Sequence, residues 1–285
     1  MREIYLLVSA ILVITGCGDT ENVQSKDDLK WAGWESTPEI FGGIEVLARI
    51  RRAHDNQTPS LLLSQWKITE LSPLADLVHL TQLDLGKNSI ENIKPLATLT
   101  KMEKLYLDSN QITTISVLAG LNHLRVLDLG SNKVSDSSPL EKLSELTTLN
   151  LNNNQINDLT PLVELQKVNE LNLSQNQLSD ITHLSKLTNL TKLHLSGNQI
   201  AQIQVLSSLK KLTKLNLSKN RIIDIAPIKA LSKLTELVLA ENQIDDVRPL
   251  AELPKLKKLN LSKNPIPDDQ KELLKQAIPK CKIIF

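Results

Sequence analysis

A chain of 285 residues that is 41% hydrophobic but only 2% aromatic must build its core from aliphatic side chains, and their regular spacing excludes a disordered polymer. The formal charge of +1 hides two opposed halves: residues 1–191 carry 16 Lys+Arg against 23 Asp+Glu, and residues 192–285 carry 17 against 9. Such polarity can steer an acidic partner to the C-terminal half, but the lysines there read as scattered around the surface instead of lining one groove, and nucleic-acid binding has little support.

At the N-terminus, Arg2 precedes an apolar run from Ile4 to Ile14. The run is too short to span a bilayer as a helix and suits the apolar region of a secretory leader. The segment Ile14-Thr15-Gly16-Cys17 resembles the lipobox of bacterial lipoproteins. That resemblance implies that residues 1–16 are a cleaved signal peptide and that Cys17 is lipidated. The protein is then expected to be a membrane-anchored lipoprotein outside the cytoplasm, at a bacterial outer membrane or cell surface, held by more than one acyl chain. Residues 17–36 come next as the lipidated Cys and a flexible tether, of which Gly18 to Leu29 is polar and without periodicity. Cys281 is left without a partner. It lies 22 residues after Leu259, at an inward position, and reads as a buried thiol.

Residues 37–60 read as an N-terminal cap over the apolar end of a repeat array that begins at Leu61. Thr37 is placed to cap a helix and Pro38 to open it, with Ile40, Ile44, Leu47 and Ile50 near helical spacing. Gly42-Gly43 weakens its first turn, and Arg49, Arg51 and Arg52 read as its solvated face. Trp31, Trp34 and Trp66, all the tryptophans of the chain, fall in this early region.

From Leu61 a single period organises the chain. Leu190 to Ile203 reads L-T-K-L-H-L-S-G-N-Q-I-A-Q-I, and the same pattern recurs 22 residues later at Leu212, Leu215, Leu217, Asn220, Ile222 and Ile225. Period two puts Leu193 and Leu195 on one face and His194 on the other, so residues 61–264 predict stacked coils with an aliphatic interior. One column is asparagine from Asn88 to Asn264, with Trp66 in its place in the first coil; a buried turn that needs a side-chain amide explains it. Pro73, Pro95, Pro139, Pro161, Pro227 and Pro249 share a column on the return side and predict short turns or 3₁₀ segments. Ser137 replaces an aliphatic residue and predicts looser packing in its coil. Residues 265–285 predict a C-terminal cap: Asp268 or Asp269 caps a helix, Leu273, Leu274, Ala277 and Ile278 form its apolar face, and Cys281, Ile283 and Phe285 alternate as a last strand.

The pattern L-x-x-L-x-L-x-x-N-x-I-x-x-I resembles the leucine-rich repeat, and turns such as Asn154 to Leu162 (N-Q-I-N-D-L-T-P-L) resemble the internalin-type repeats of bacterial surface proteins. The resemblance implies an α/β fold, a right-handed leucine-rich repeat solenoid with a parallel concave β-sheet, short turns or 3₁₀ segments on its convex side, and a ladder of asparagines.

Motifs of catalysis are missing from the sequence. There is no phosphate-binding glycine loop, no H-E-x-x-H and no nucleophile elbow, and the five histidines are dispersed. Asp84 and Asp128 are two coils apart and read as exposed, with no apolar pocket to raise a pKa. The expectation is a non-enzymatic monomer without metal or cofactor, bound to the membrane through lipid on Cys17, that binds another protein through its concave face. The residues expected to meet that partner are Asp84, Tyr106, Asp128, Asn150, Asn172, Lys192, His194, Lys214, Asn216 and Lys258, among which only Tyr106 and His194 resemble interface anchors. A structural envelope protein without a ligand is one alternative. Recognition of an anionic glycan by Lys192, Lys214 and Lys258 is another.

Overall fold

A computed structural model describes residues 26–285; the expected leader, Cys17 and the first part of the tether lie outside the described residues. Among the described residues, eleven three-residue strands form one sheet in chain order, every neighbouring pair parallel. They are β1 (Ser60–Leu62), β2 (Gln82–Asp84) and then one strand every 22 residues to β10 (Lys258–Asn260), followed by β11 (Lys282–Ile284). Leu83 pairs with Leu105 and Leu105 with Leu127, and the register continues unbroken. The middle residue of each strand, leucine in β1 to β10 and Ile283 in β11, therefore points into the core while its two neighbours face the concave side.

In the coil that contains Lys192–His194, seven aliphatic side chains (Leu190, Leu193, Leu195, Ile200, Ile203, Leu206 and Leu209) are each 0% exposed. At ~2 kcal/mol for each fully buried aliphatic side chain, this burial is the main force holding one coil on the next, and no coil could supply it alone. On the convex side the six prolines sit at the start of 3₁₀ turns, as expected. A carboxylate two residues ahead completes several of those turns: Asp158 Oδ1 accepts the backbone N–H of Thr160 at 2.8 Å, and Asp136 and Asp246 do the same for Ser138 and Arg248. Hydrogen bonds from Thr160 hold the Asp158 carboxyl below its ordinary value.

The asparagine column closes the other bend. Asn176 Nδ2 donates to the carbonyls of Leu151 at 2.9 Å and Leu173 at 3.1 Å, and its Oδ1 accepts the backbone N–H of Ile156 at 2.9 Å. One side chain thus satisfies backbone groups in two adjacent coils that burial would otherwise leave unpaired. The residue before each asparagine adopts positive φ, for example 57° at Ser131 and 56° at Lys219. In the first coil, where Trp66 stands, Asn88 Oδ1 accepts the N–H groups of both Trp66 and Ile68. Ser137 is buried at 3% exposure with its hydroxyl donating to the Asp158 carbonyl at 3.3 Å, so the polar substitution is satisfied by the next coil.

The two caps depart from expectation in phase. Within the stretch read as tether, Lys26–Glu35 forms helix α1, whose Trp31 is buried and meets Trp34 edge-on at 4.8 Å. The helix expected from Thr37 is instead a 3₁₀ turn, Pro38–Phe41, that stops at Gly42 (φ 91°); α2 then spans Ile44–Asp55. Gly42 is required by close approach, since a Cβ there would lie 2.8 Å from Ile68 Cγ1 and 2.9 Å from the Trp66 carbonyl. The break rotates the apolar face, so Val46, Leu47, Ile50 and Ala53 are buried while Ile40 and Ile44 are exposed. Nor is the arginine set simply solvated: Arg51 reaches Asp28 at 3.1 Å and lies over Trp31, and Arg49 lies over Trp66 at 5.0 Å. Arg51 thereby ties α1 to α2.

At the other end, α3 (Asp268–Ala277) has Pro267 in the capping position and buries Leu274, leaving Leu273 exposed. Leu259 pairs with Ile283, so this last interval is two residues longer than the others. Ile283 takes the inward position expected for Cys281, which moves back to the entry of the strand and is only partly buried. That burial pushes the Cys281 thiol up from its ordinary value.

Candidate functional site

The concave face carries two side-chain columns fixed by the sheet. The register brings Asp84, Tyr106, Asp128, Asn150, Asn172, His194 and Asn216 together in one of them, and Lys192 and Lys214 in the other, with Lys258 farther along it. All ten residues expected at a partner interface are therefore on one surface, but most are not idle there. Asp84 Oδ1 accepts the N–H of Gly86 at 2.9 Å, Asp128 Oδ1 that of Gly130 at 2.9 Å, and Asn150, Asn172, Asn216 and Asn260 repeat the bond two residues onward. The chain leaves each strand at this point, and a short Asp or Asn side chain caps the exit. Tyr106, His194 and Val238 interrupt the column with side chains that make no such bond.

The two halves of the face differ in charge. Near β2 the carboxylates of Asp84 and Asp128 flank Tyr106, with Asp108 close enough to act on Asp128; Asn150 Nδ2 donates to Asp128 Oδ1 at 2.9 Å. Burial raises the Asp128 carboxyl above its ordinary value, bonds from Gly130 and Asn150 oppose the rise, and Asp108 and Asp84 add to it. The sequence expectation that nothing here would perturb a carboxylate is corrected: packing between neighbouring coils partly desolvates a side chain that spacing alone reads as exposed. Spacing does not single out Asp108 either. The signal for it is Gly86 one coil earlier, where a Cβ would come within van der Waals overlap of the Asp108 carboxylate.

Toward the C-terminus, Lys192 pairs with Glu170 at 2.6 Å, and Glu236 lies between Lys214 at 3.0 Å and Lys258 at 2.9 Å. The three lysines considered for glycan recognition are thus each matched by a carboxylate in an adjacent coil. Burial, then Lys192, push the His194 imidazole below its ordinary value, against the pull of Glu170. Beyond them a groove of about 390 Å³, lined by Glu236, Val238, Lys258, Asn260, Lys282 and Ile284, closes the face. Among the described residues no cluster of His, Cys, Asp and Glu could hold a metal ion, and no helix is long and apolar enough to cross a membrane.

A parallel sheet along one side, 3₁₀ turns along the other and an amide ladder between them define a leucine-rich repeat solenoid. Family models described as "Leucine Rich repeats (2 copies)" match residues 122–164, 166–208, 188–230, 210–252 and 232–274, and one described as "Leucine rich repeat" matches 78–134. The chain belongs to the leucine-rich repeat family. It is similar to the solved internalin InlF of Listeria monocytogenes (27% identity, 87% of this chain and 89% of that one, TM-score 0.72). It is also similar to internalin C2 of the same organism (31% identity, 81% and 96%, TM-score 0.67). A leucine-rich repeat protein of Leptospira interrogans matches at 32% identity over 76% of this chain, which spans 57% of that one, with a TM-score of 0.72. No curated protein sequence matches significantly.

Proposed function

We propose that this protein is a non-enzymatic, lipid-anchored, extracytoplasmic module that binds another protein through its concave face. The observation that carries the reading is the interrupted column. Where Asp or Asn is needed to cap a strand exit the column keeps it, yet Tyr106 and His194 displace it and present larger side chains on a rigid surface that the fold does not require of them. Tyrosine supplies contact area at low conformational cost, which makes Tyr106 the leading anchor. The neighbouring Asp84, Asp128, Asn150 and Asn172, and Asn216 beside His194, offer their remaining polar atoms around these two. The likeness to internalins supports a binding role, and the lipobox at Cys17 supports the anchor.

The test is crosslinking on intact cells with the lipidated full chain, comparing it with Tyr106→Ala/His194→Ala. Capture of a defined protein by the native chain, reduced about tenfold or more in the double variant with unchanged circular dichroism, is the expected result. Equal capture by both sinks the concave-face reading, and capture of nothing favours a structural envelope role. Independently, Cys17→Ser should move the protein from the membrane fraction to the soluble one.

A further inference from the structure

Away from the concave face, lysines without carboxylate partners gather on the rim where each coil turns into its strand. Lys211, Lys233 and Lys255 hold the same place in three consecutive coils, three residues before strands that begin at Lys214, Glu236 and Lys258, and all three are exposed. Strand spacing stacks such positions about 5 Å apart along the solenoid. The N-terminal half treats this row differently. There the equivalent positions are His79, Lys101, His123, Glu145 and Lys167; Lys167 pairs with Glu145 at 2.6 Å, His123 reaches the Thr100 carbonyl at 3.2 Å, and the exposed Lys101 stands between two histidines with no second lysine at this position in an adjacent coil. Lys211 still finds Asn189 at 2.6 Å, but Lys233 and Lys255 have no hydrogen-bond or ion-pair partner among the described residues. Lys257 lies alongside them on the same rim. Most basic residues of this half are indeed spread around the surface, but Lys211, Lys233 and Lys255 share one position of the repeat, so coil stacking aligns them.

Like charges at this spacing repel one another even in water, and nothing in the fold offsets the repulsion along the row. We propose that this lysine rim binds a linear anionic polysaccharide laid along the solenoid axis over the last three coils. The reading stands apart from the concave-face proposal and uses none of its residues. Single-stranded nucleic acid would call for stacking aromatics, and Phe285 is the sole Phe, Tyr or Trp after position 191. A protein partner would call for an apolar centre within the charges, whereas the rim positions around Lys211 and Lys233 are Lys210, Thr213, Ser232 and Thr235; the apolar exception is Pro254 beside Lys255, at the edge of a cavity of about 280 Å³ toward α3 and so at one end of the row, not within it. Pro254 alone gives the rim too little apolar surface to insert into a bilayer. Lysines on flexible stems act as point charges and suit a polymer recognised by charge spacing, where no bidentate arginine is needed.

The experiment measures binding of the detergent-solubilised full chain to heparin as a function of salt, beside Lys211→Gln/Lys233→Gln/Lys255→Gln, the corresponding triple Lys→Arg variant and Lys192→Gln/Lys214→Gln/Lys258→Gln. Melting curves confirm that each variant is folded. The rim Gln variant should lose about tenfold or more at near-physiological salt, and its log–log salt slope should fall by roughly two to three, by the counterion-release argument. The Arg variant and the concave-face variant should bind like the native chain. Absence of heparin binding by the native chain, or an equal loss in the concave-face variant, overturns the proposal. Polyglutamate or phosphatidylglycerol vesicles bound as tightly as heparin and lost in the same rim variant overturn it too, in favour of an acidic protein or a membrane.

Discussion

Asparagine recurs at 22-residue spacing in two places in this molecule, and the two columns use the same amide in opposite ways. In the inner bend, Asn176 is 8% exposed and spends both ends of its side chain on backbone groups of two coils. On the concave face of the same coil, Asn172 accepts one bond, from the Ser174 N–H at 3.1 Å, and is partly open to solvent. The inner column runs from Asn88 to Asn264 without substitution, while the outer one admits Tyr106, His194 and Val238. A position whose amide satisfies buried backbone has no freedom to vary; a position that only caps a strand exit beside water does.

Substitutions made in parallel in the two columns can separate these roles. Asn176→Ala should be the most damaging, destabilising the protein by about 3 kcal/mol in urea denaturation because buried carbonyls and an N–H lose their partner together. Asn172→Ala, the same change in the same coil, should cost about 1 kcal/mol or less, since water can replace the lost acceptor. Equal costs would show that the two columns do not differ in kind.

Asp128→Asn tests the half-buried acid of the outer column. Its folded-state pKa is raised above the ordinary value by burial, so the charged form penalises the native state at neutral pH. As pH falls through the folded pKa the native state takes up the proton and the penalty fades, ending below the unfolded value near 3.8. The variant should therefore be more stable than the native chain at pH 7, and the gap should close on acidification; a gap that widens toward low pH would contradict the burial assignment. The smallest effect on stability is expected for Tyr106→Ala and His194→Ala, within about 0.5 kcal/mol each, because neither side chain caps the strand. A large loss from either would mean that the fold, not a partner, requires it.

Much of the fold was legible because a solenoid repeats its constraints. Leu193 and Leu195 declare the sheet face by period two, and the asparagine and proline columns mark the two bends of every coil. The caps were less legible, for each has only one copy and no repetition to average over. At Gly42 the chain stops a 3₁₀ turn in order to pass against Trp66, and that contact fixes the phase of α2, so Ile44 faces solvent although its spacing suits a core. The two-residue slip that puts Ile283 instead of Cys281 opposite Leu259 comes from seating α3 on the last coil, a packing requirement that counting by 22 cannot reveal.

For the candidate site, spacing named the residues of the concave face but not their occupation. Lys192, Lys214 and Lys258 read as free cations until register sets Glu170 and Glu236 beside them, and Lys233 and Lys255 read as scattered until the same register aligns them. Within the repeat array, that the chain would coil, how long each coil would be and which side chains would face inward were all written in the residue pattern, because burial and backbone pairing act at each repeat alike. Which charges are neutralised, which carboxylate is desolvated and which rim is left bare emerged only on stacking, since those depend on distances between residues about 22 positions apart that the assembled coils alone supply.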